Sequence, residues 1–409
     1  MNGIASELQL QGEHFRPVNV AEVAGVITDA NAAGRSLEIV GGATKRSFGN
    51  HVCADALLDM SGLTGIEMYE PEELVIKVRA GTSMSLLRSA LAEHNQHLAF
   101  EPPDYAALFG NVDAMDTIGG IVACNLSGPR RVLAGAARDS VLGIEGVNGR
   151  GEAFHSGGRT VKNVTGFDIP RLMTGSFGIL AALTSITLKV QPAPQYESTL
   201  VMSELDDSVA LRTMSDLLQL PFEISAAARL GGERSSASAS VTAIRIEGFR
   251  ESVMAREAEI EKRLPAHTEV KKLGADESRR FWASLKDLSE FSGYDNACIW
   301  RLSLPCDQAA SVAKSLGGPA IYDWGGSQVF VQTRVENMKL QADAIRKRVV
   351  EAGGCAALLR ATPDVRRQVG TFQPRHGALR EVGERVRRAF DPNGVLNPGK
   401  LASLAQGET

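Results

Sequence analysis

Four glycine-rich segments, far apart along the chain, constrain this sequence more than any other feature. They are Val40–Gly49 (VGGATKRSFG), Asp116–Asn125 (DTIGGIVACN), Lys162–Leu183 (KNVTGFDIPRLMTGSFGILAAL) and Asp391–Leu401 (DPNGVLNPGKL). Because glycine has no Cβ, successive backbone N–H groups can approach an anion without obstruction. We therefore expect the four turns to converge in space on one pyrophosphate-bearing ligand.

The first segment follows a predicted strand, Ser36–Val40, and is rich in small, hydroxylated and basic residues. These residues are Gly41, Gly42, Ala43, Thr44, Lys45 and Arg46. The hydroxyl and the two cations would suit a pyrophosphate, although an ordinary turn between a strand and a helix would look the same in isolation. The segment matches neither the G-x-x-x-x-G-K-[ST] phosphate loop nor the G-x-G-x-x-G fingerprint.

The other three segments allow a binding role and a structural role. In the second, Thr117, Gly119 and Gly120 open a helix of small residues, which allows close approach of a ring or a phosphate, or tight packing on a sheet. In the third, Asp168 and Arg171 are expected to form a local ion pair. The fourth contains two strong turns, Asp-Pro-Asn-Gly and Asn-Pro-Gly, which an ordinary carboxy-terminal tail would not need.

The chain of 409 residues is too long for one compact core. In its first part, Leu74–Val78 is a predicted strand, and Thr82 is expected to cap the helix that follows. Pro192 and Pro194 end another strand, Ser185–Val190, and mark a domain boundary. Beyond residue 196, strand and helix patterns alternate and predict an antiparallel sheet with helices, which could consist of two related halves. A small-residue loop, Gly231–Ser240, is expected at the surface.

Composition excludes several classes of function. The net charge of −4, from 44 basic and 48 acidic residues, gives no electrostatic footprint for nucleic acid. The five scattered cysteines form no C-x-x-C pair, so we expect no iron–sulfur cluster, no metal site and no disulfide framework. The amino terminus does not resemble a signal peptide, and no apolar stretch approaches the ~20 residues of a transmembrane segment. We expect a cytoplasmic protein, or one held at a membrane through a complex.

Taken together, in their order and spacing, these segments resemble the vanillyl-alcohol-oxidase-type FAD-binding family, also called the PCMH fold. The resemblance covers about residues 17–194 and 390–401, and includes RAGTSMSLLRSALAEHNQHLAFEPPD and ARDSVLGIEGVNGRGE between the glycine segments. Within the family the chain is most similar to the shorter FAD-binding subunits of bacterial glycolate oxidases. GRTVKNVTGFDIPRLMTGSFGILAALTSITLKVQP is the most specific part of that likeness.

The resemblance implies an α+β protein with a two-subdomain FAD-binding domain in residues 1–194. It also implies an α/β cap domain with an antiparallel sheet in residues 195–385, and a carboxy-terminal segment, 386–409, that returns to the FAD site. The implied FAD contacts are Gly41, Gly42, Ala43, Thr44, Lys45, Thr117, Gly119, Gly120, Gly178, Ile179, Leu183, Asn397 and Lys400. The implied partners are a longer FAD-linked glycolate oxidase subunit, an iron–sulfur subunit and a small 2-hydroxy acid.

Two departures from the family pattern qualify these expectations. Ala43 stands where several members carry the histidine that links FAD covalently, so we expect non-covalent FAD. The G-H-x-G-D-G-N-x-H metal and substrate motif of the larger hydroxy-acid dehydrogenases is missing; the nearest piece is Pro374–Glu381 (PRHGALRE). A stand-alone oxidoreductase for another hydroxy acid or an alditol, and a non-catalytic subunit that keeps FAD for assembly, therefore remain alternatives.

No catalytic residue is predicted. A 2-hydroxy acid needs a cation for its carboxylate and a base for its hydroxyl. The candidates in the second region are Arg229, Arg245, Arg301, Arg360, Tyr322 and His376, and for each of them a solvated or packing role is favoured. The last helical stretch, Ala378–Phe390, carries Arg380, Arg385, Arg387 and Arg388, which indicate a solvated face or a subunit contact.

Overall fold

The computed structural model describes residues 12–111, 114–158, 166–231, 240–265, 268–292, 297–334 and 338–401. The start of the third glycine segment, residues 162–165, and most of the loop at 231–240 lie outside these ranges. None of the helices in the described ranges combines the length and the apolar character that crossing a membrane requires.

The described residues form two compact units. The first takes its residues from Met1–Leu126, Ala136–Ala193 and Pro374–Thr409, and the second from Ser127–Gly135 and Pro194–Gln373. Each unit therefore consists of segments that are distant in sequence, and the short segment 127–135 belongs to the second unit although it interrupts the first. The predicted roles of the domains stay predictions.

Strands and helices alternate along both units. Within the described ranges the strands are β1 (Glu13–Phe15), β2 (Leu37–Val40), β3 (Ala56–Asp59), β4 (Ile66–Glu70), β5 (Val75–Arg79), β6 (Gln96–His97), β7 (Val141–Asn148), β8 (Ala153–Gly157), β9 (Ala181–Lys189), β10 (Gln191–Pro192), β11 (Tyr196–Ser203), β12 (Ile224–Leu230), β13 (Val241–Gly248), β14 (Val270–Leu273), β15 (Ala297–Ser303), β16 (Ala320–Asp323), β17 (Gln328–Arg334) and β18 (Cys355–Arg360). The α-helices in the same ranges are α1 (Val20–Ala32), α2 (Met84–Glu93), α3 (Ile118–Cys124), α4 (Arg131–Ala134), α5 (Ala137–Ser140), α6 (Ile169–Met173), α7 (Asp207–Leu218), α8 (Arg250–Glu261), α9 (Ala275–Lys286), α10 (Cys306–Leu316), α11 (Met338–Glu351), α12 (Pro363–Val369) and α13 (Gly377–Phe390).

The first unit contains a small parallel sheet and a larger antiparallel one. The parallel sheet has the order β1-β3-β2, and the carboxy-terminal segment joins its edge through a parallel bridge from Leu37 to Leu396. The antiparallel sheet has the order β4-β5-β9-β7-β8. Apolar residues of α1, β2, β3 and the carboxy-terminal segment share one core, which fixes the ends of the first and fourth glycine segments near each other.

The cap of α2 corrects one prediction. Ser83, not Thr82, accepts the hydrogen bond from the backbone N–H of Leu86, at 3.1 Å. The Thr82 hydroxyl instead donates to the Gly65 carbonyl at 3.1 Å. Serine and threonine both favour the cap position of a helix. The hydrogen bond between Thr82 and Gly65 therefore explains why α2 begins one residue later than predicted.

The second unit is built on one antiparallel sheet of order β14-β11-β13-β12-β16-β17-β15-β18. Each half of this sheet follows the pattern strand–helix–strand–strand–helix–strand along the chain. When the four strands of each half are numbered in chain order, the first half has the spatial order 4-1-3-2 and the second half has the mirror order 2-3-1-4. The halves join where β12 pairs with β16. The two related halves that the sequence suggested are therefore present. Helices α7, α8, α10 and α11 pack against Leu200, Ile244, Trp300 and Val331 in one continuous core. The predicted α+β class and the antiparallel sheet are confirmed.

Candidate functional site

All four glycine segments meet at one cavity in the first unit. The space among its lining residues, part of which is open to solvent, amounts to about 790 Å³. Among the residues that line it are Gly41, Gly42, Ala43, Thr44, Lys45, Thr117, Gly119, Gly120, Gly178, Leu183, Asn397 and Lys400. Ile179, the remaining residue named from the sequence, is half-buried beside Gly178 and does not line the cavity.

A row of backbone N–H groups faces no partner along the first segment. The amides of Gly41, Gly42, Ala43, Thr44 and Lys45 donate no hydrogen bond to any residue that the structure describes. These residues are buried or half-buried, and more than about 90% of buried backbone amides in folded proteins are paired. Five unpaired amides in sequence therefore indicate an acceptor that comes from a ligand, and a phosphate group has that chemistry.

The glycines at this site serve two different needs. A Cβ on Gly41 would lie 2.3 Å from Thr117 Oγ1, and one on Gly42 would lie 1.5 Å from the Met115 carbonyl oxygen. These two glycines therefore let the first and second segments touch, so substitutions there would disturb the fold before they tested a ligand. Gly120 is different, because its Cβ would be 3.4 Å from Thr117 Oγ1 and would project into the cavity.

The cations of the first segment are paired within the protein. Arg46 makes a bidentate ion pair with Glu38, with Nε–Oε1 and Nη2–Oε2 distances of 2.9 and 2.6 Å. Lys45 is buried and donates to Asp116 Oδ1 and to Thr44 Oγ1. The positive charge that the sequence assigned to a pyrophosphate is therefore largely neutralised by carboxylates. Recognition of an anion at this loop rests mainly on the backbone amides.

The carboxy-terminal segment closes the site through backbone contacts. The Asn397 side chain accepts a hydrogen bond from the Ile39 N–H and donates one to the Phe177 carbonyl, both at 2.7 Å. Lys400 Nζ donates to the Arg46 carbonyl at 2.8 Å. Both residues line the cavity. The polar ends of their side chains, however, connect the fourth glycine segment to the first and the third. Contact of either side chain with a cofactor stays a prediction.

The sequence analysis missed an aromatic cluster that supports these loops. Phe48 stacks on Phe109 with ring centroids 6.4 Å apart and meets Phe177 edge to face at 5.1 Å. Each phenylalanine precedes a glycine with positive φ, namely Gly49, Gly110 and Gly178. These are the three Phe-Gly dipeptides of the whole sequence, so a search for that dipeptide would have found the cluster.

Much of the remaining cavity wall is apolar. Met60, Ala80, Ala123, Ala181 and Leu183 contribute to it, together with Cys124. A wall of methyl groups beside a row of free amides matches a ligand with a flat apolar ring system and a pyrophosphate, as in FAD. The residues present therefore fit the cofactor that the sequence resemblance implies.

The candidate substrate residues do not gather at one site. Arg229 is buried and pairs with Asp207 at 2.6 Å, and Tyr322 donates to the same carboxylate at 3.0 Å, so both attach α7 to the sheet. Arg360 donates to the Phe291 carbonyl at 2.9 Å. Arg301 is half-buried on β15, and His376 is exposed in the first unit. The solvated position favoured for the arginines is therefore wrong for Arg229 and Arg360, which are buried and paired within the protein.

Arg245 belongs to a buried ionic network in the second unit. It donates to Ser225 Oγ at 3.0 Å and lies 3.7 Å from Glu247, which also forms a bidentate pair with Arg130. Burial would raise the pKa of Glu247, but the two guanidinium groups outweigh burial and lower that pKa to about 2. Burial raises the pKa of the neighbouring Glu197 carboxyl. Replacement of Arg245 would therefore remove one of the two guanidinium groups that stabilise the ionised carboxylate of Glu247.

Comparisons with known proteins agree with this site. The FAD binding domain family matches residues 14–157. Glycolate oxidase subunit GlcE of Escherichia coli (strain K12) is 32% identical over 367 residues, which are 89% of this chain and 92% of that protein. Glycolate oxidase subunit GlcD of Bacillus subtilis (strain 168) is 28% identical over 42% of this chain, and D-lactate dehydrogenase of Anaerostipes hadrus is 32% identical over 44% of it. The matches cover 37% and 35% of those two proteins.

A crystal structure of alkyldihydroxyacetonephosphate synthase shares the fold, with a TM-score of 0.67 and 16% sequence identity over 95% of this chain and 77% of that one. Because the sequence identity is low, this structural likeness supports the PCMH-type fold and no further property. The match to GlcE extends over nearly the whole of both proteins, and FAD is the cofactor that the matched domain binds. The chain therefore belongs to the family of FAD-linked oxidoreductases with a PCMH-type FAD binding domain that includes glycolate oxidase subunit GlcE.

Proposed function

We propose that this chain is the FAD-binding subunit of a glycolate oxidase complex, which oxidises glycolate to glyoxylate or relays the electrons of that oxidation. The observation that carries the proposal is the row of five unpaired amides at residues 41–45, on the wall of the cavity where the four glycine segments meet. Likeness to subunit GlcE along 92% of that protein favours this role over other flavoprotein roles.

FAD, when bound, supplies an acceptor for two electrons. The chain's own residues would hold and shield it. The amides of residues 41–45 would bind the pyrophosphate, the paired Lys45 and Arg46 would keep the loop rigid, and the small residues of α3 would let a flat ring approach. We retain the thirteen residues named from the sequence as proposed cofactor contacts, with Ile179 the weakest because it does not line the cavity.

We further propose that a longer FAD-linked subunit and an iron–sulfur subunit complete the complex. Two features of the sequence motivate this proposal. The chain lacks the G-H-x-G-D-G-N-x-H motif, and its five cysteines lack the spacing of cluster ligands. Oxidation of a 2-hydroxy acid removes two electrons and two protons from its CH–OH group, and these electrons need a route to a further acceptor. The complex would act in the cytoplasm, or at a membrane surface through its other subunits.

The visible absorption spectrum of the purified chain, before and after acid precipitation, tests the cofactor assignment. We expect flavin absorption in the native sample and a yellow supernatant after precipitation, because Ala43 cannot form the histidine linkage. A colourless chain that does not bind added FAD would exclude FAD as a cofactor of this chain. A yellow pellet would show covalent attachment at another residue.

Coexpression with the two proposed partner subunits tests the complex. We expect the three chains to copurify and to reduce a dye when glycolate is added, and the isolated chain to show no such activity. An isolated chain that is reduced by glycolate, by another 2-hydroxy acid or by an alditol would establish the stand-alone alternative. If loss of FAD from this chain prevents assembly, while substitutions in the second unit leave the activity of the complex intact, the assembly role is correct.

A further inference from the structure

Helix α13 differs from the other long helices that the structure describes, because none of its residues is buried. It spans 14 residues, Gly377–Phe390, and at 1.5 Å per residue it is about 21 Å long. Its apolar residues lie along one stripe at helical spacing, and they are Ala378, Leu379, Val382, Val386, Ala389 and Phe390, the last of which contacts Phe154. Leu379 is 73% exposed and Val382 is 46% exposed.

Basic residues lie beside this stripe and on the polar face. Arg385 borders the stripe on the helical wheel, and Arg380 and Arg388 lie on the polar face. These three arginines are exposed and make no hydrogen bond or ion pair with any described residue. The helix carries four arginines and two glutamates, although the whole chain is net acidic at −4. An amphipathic helix with exposed apolar residues and available cations is suited to dock in a groove.

We propose that α13 is the surface on which the longer FAD-linked subunit of the complex docks, through an apolar groove with an acidic rim. This proposal rests on the proposed function, because it needs a complex in which the chain is one subunit. Charge complementarity selects the acidic rim, since Arg380, Arg385 and Arg388 have no described carboxylate of their own. Arginine is also enriched at protein interfaces.

A membrane surface fits the helix less well. Helices that lie on membranes usually present Trp, Phe or Leu on the apolar face and an excess of basic residues on the polar face. The exposed apolar residues of α13 are mainly alanine and valine, and Glu381 and Glu384 share its polar face. Small side chains allow close approach of a second protein backbone, which favours a protein groove.

The test uses the full chain coexpressed with the longer FAD-linked subunit of the same organism. The variant Leu379→Asp/Val382→Asp places charge in the apolar stripe. Its control is Leu340→Asp/Val350→Asp on α11, where the leucine and the valine are likewise exposed, at 67% and 50%. A second variant, Arg385→Glu/Arg388→Glu, is matched by Lys347→Glu/Arg348→Glu on α11, where both residues are also exposed.

We expect both α13 variants to weaken copurification and to raise the dissociation constant by about tenfold or more, as interface anchors do. Both controls should assemble like the original chain. FAD absorption and the far-ultraviolet circular dichroism of every variant should be unchanged, because the substituted side chains are exposed. If the original chain fails to assemble with the longer subunit, the proposed function itself fails.

If the original chain assembles and both α13 variants assemble equally well, the docking surface is wrong while the proposed function stands. Flotation with vesicles of equal parts phosphatidylcholine and phosphatidylglycerol separates the remaining cases. Vesicle binding that the α13 variants abolish, together with unchanged assembly, would assign the helix to a membrane and overturn the proposal. An isolated chain that dimerises through α13 by light scattering would overturn it in favour of self-association.

Discussion

Substitution of Gly120 by alanine separates cofactor binding from folding at the proposed FAD site. The residue lies in the first turn of α3, lines the cavity and has no positive φ. The added methyl group would be 3.4 Å from Thr117 Oγ1 and 3.9 Å from Lys45 Nζ, so the apoprotein can accommodate it. Because alanine favours helix over glycine, the apoprotein should gain up to about 1 kcal/mol of stability. The methyl group would occupy cofactor space, which costs about 1–3 kcal/mol of binding, or about 5-fold to 150-fold in affinity.

The two measurements are urea unfolding of the apoprotein and titration with FAD, followed by flavin fluorescence. Gly25→Ala is the matched control, because Gly25 lies within helix α1 and a Cβ there meets no atom within 4 Å. The control should be more stable by a similar amount and bind FAD like the original chain. A Gly120→Ala chain that binds FAD with unchanged affinity would refute cofactor contact at α3. A less stable apoprotein would instead show that Gly120 is needed for packing.

Three further variants probe the contacts that hold the site and the second unit. Asn397→Ala removes two buried hydrogen bonds at a residue with a φ of 44°, so the apoprotein should lose about 2–5 kcal/mol; an unchanged urea midpoint would contradict this. Asp116→Asn leaves the buried Lys45 ammonium without its carboxylate and should cost about 3–5 kcal/mol, most of which the double variant Lys45→Met/Asp116→Asn should restore in a double-mutant cycle. The arginine neighbours of Glu247 lower its pKa from 4.5 to about 2. Its ionised form therefore contributes about 3 kcal/mol to the free energy of unfolding at pH values above 4.5. This contribution is lost as the pH falls from about 4.5 to 2. The unfolding free energy of Glu247→Gln should therefore fall less steeply than that of the original chain between about pH 5 and pH 3, and equal slopes would refute the assignment.

The sequence predicted those parts of the structure that depend on local backbone geometry. Strand β2, Leu37–Val40, lies within the predicted strand Ser36–Val40, and the ion pair between Asp168 and Arg171 forms at 3.5 Å. Both depend on neighbours within a few residues. The glycine segments were recognisable for the same reason, because a missing Cβ is a property of the sequence itself.

The partners of the charged residues could not be predicted in this way. Lys45 and Asp116 are 71 positions apart, and nothing in either local pattern indicates the other. The sequence therefore suggested that Lys45 offers its charge to a ligand, whereas the fold places that charge on a carboxylate. Arg130 and Glu247 are 117 positions apart and present the same difficulty. Long-range pairing of charges depends on the tertiary fold, which no local window contains.

If the cavity binds its ligand through the backbone rather than through side chains, the sequence around it can vary widely. A side chain that binds a ligand must keep its identity, whereas an amide can be supplied by any residue whose Cβ does not obstruct it. At this site the strict requirement is that certain atoms be absent, as at Gly42, where an added Cβ would lie 1.5 Å from the Met115 carbonyl oxygen. Elsewhere on the cavity wall, small apolar residues can replace one another at little cost. Identity of 16% together with a TM-score of 0.67 shows that the fold itself tolerates extensive change of sequence.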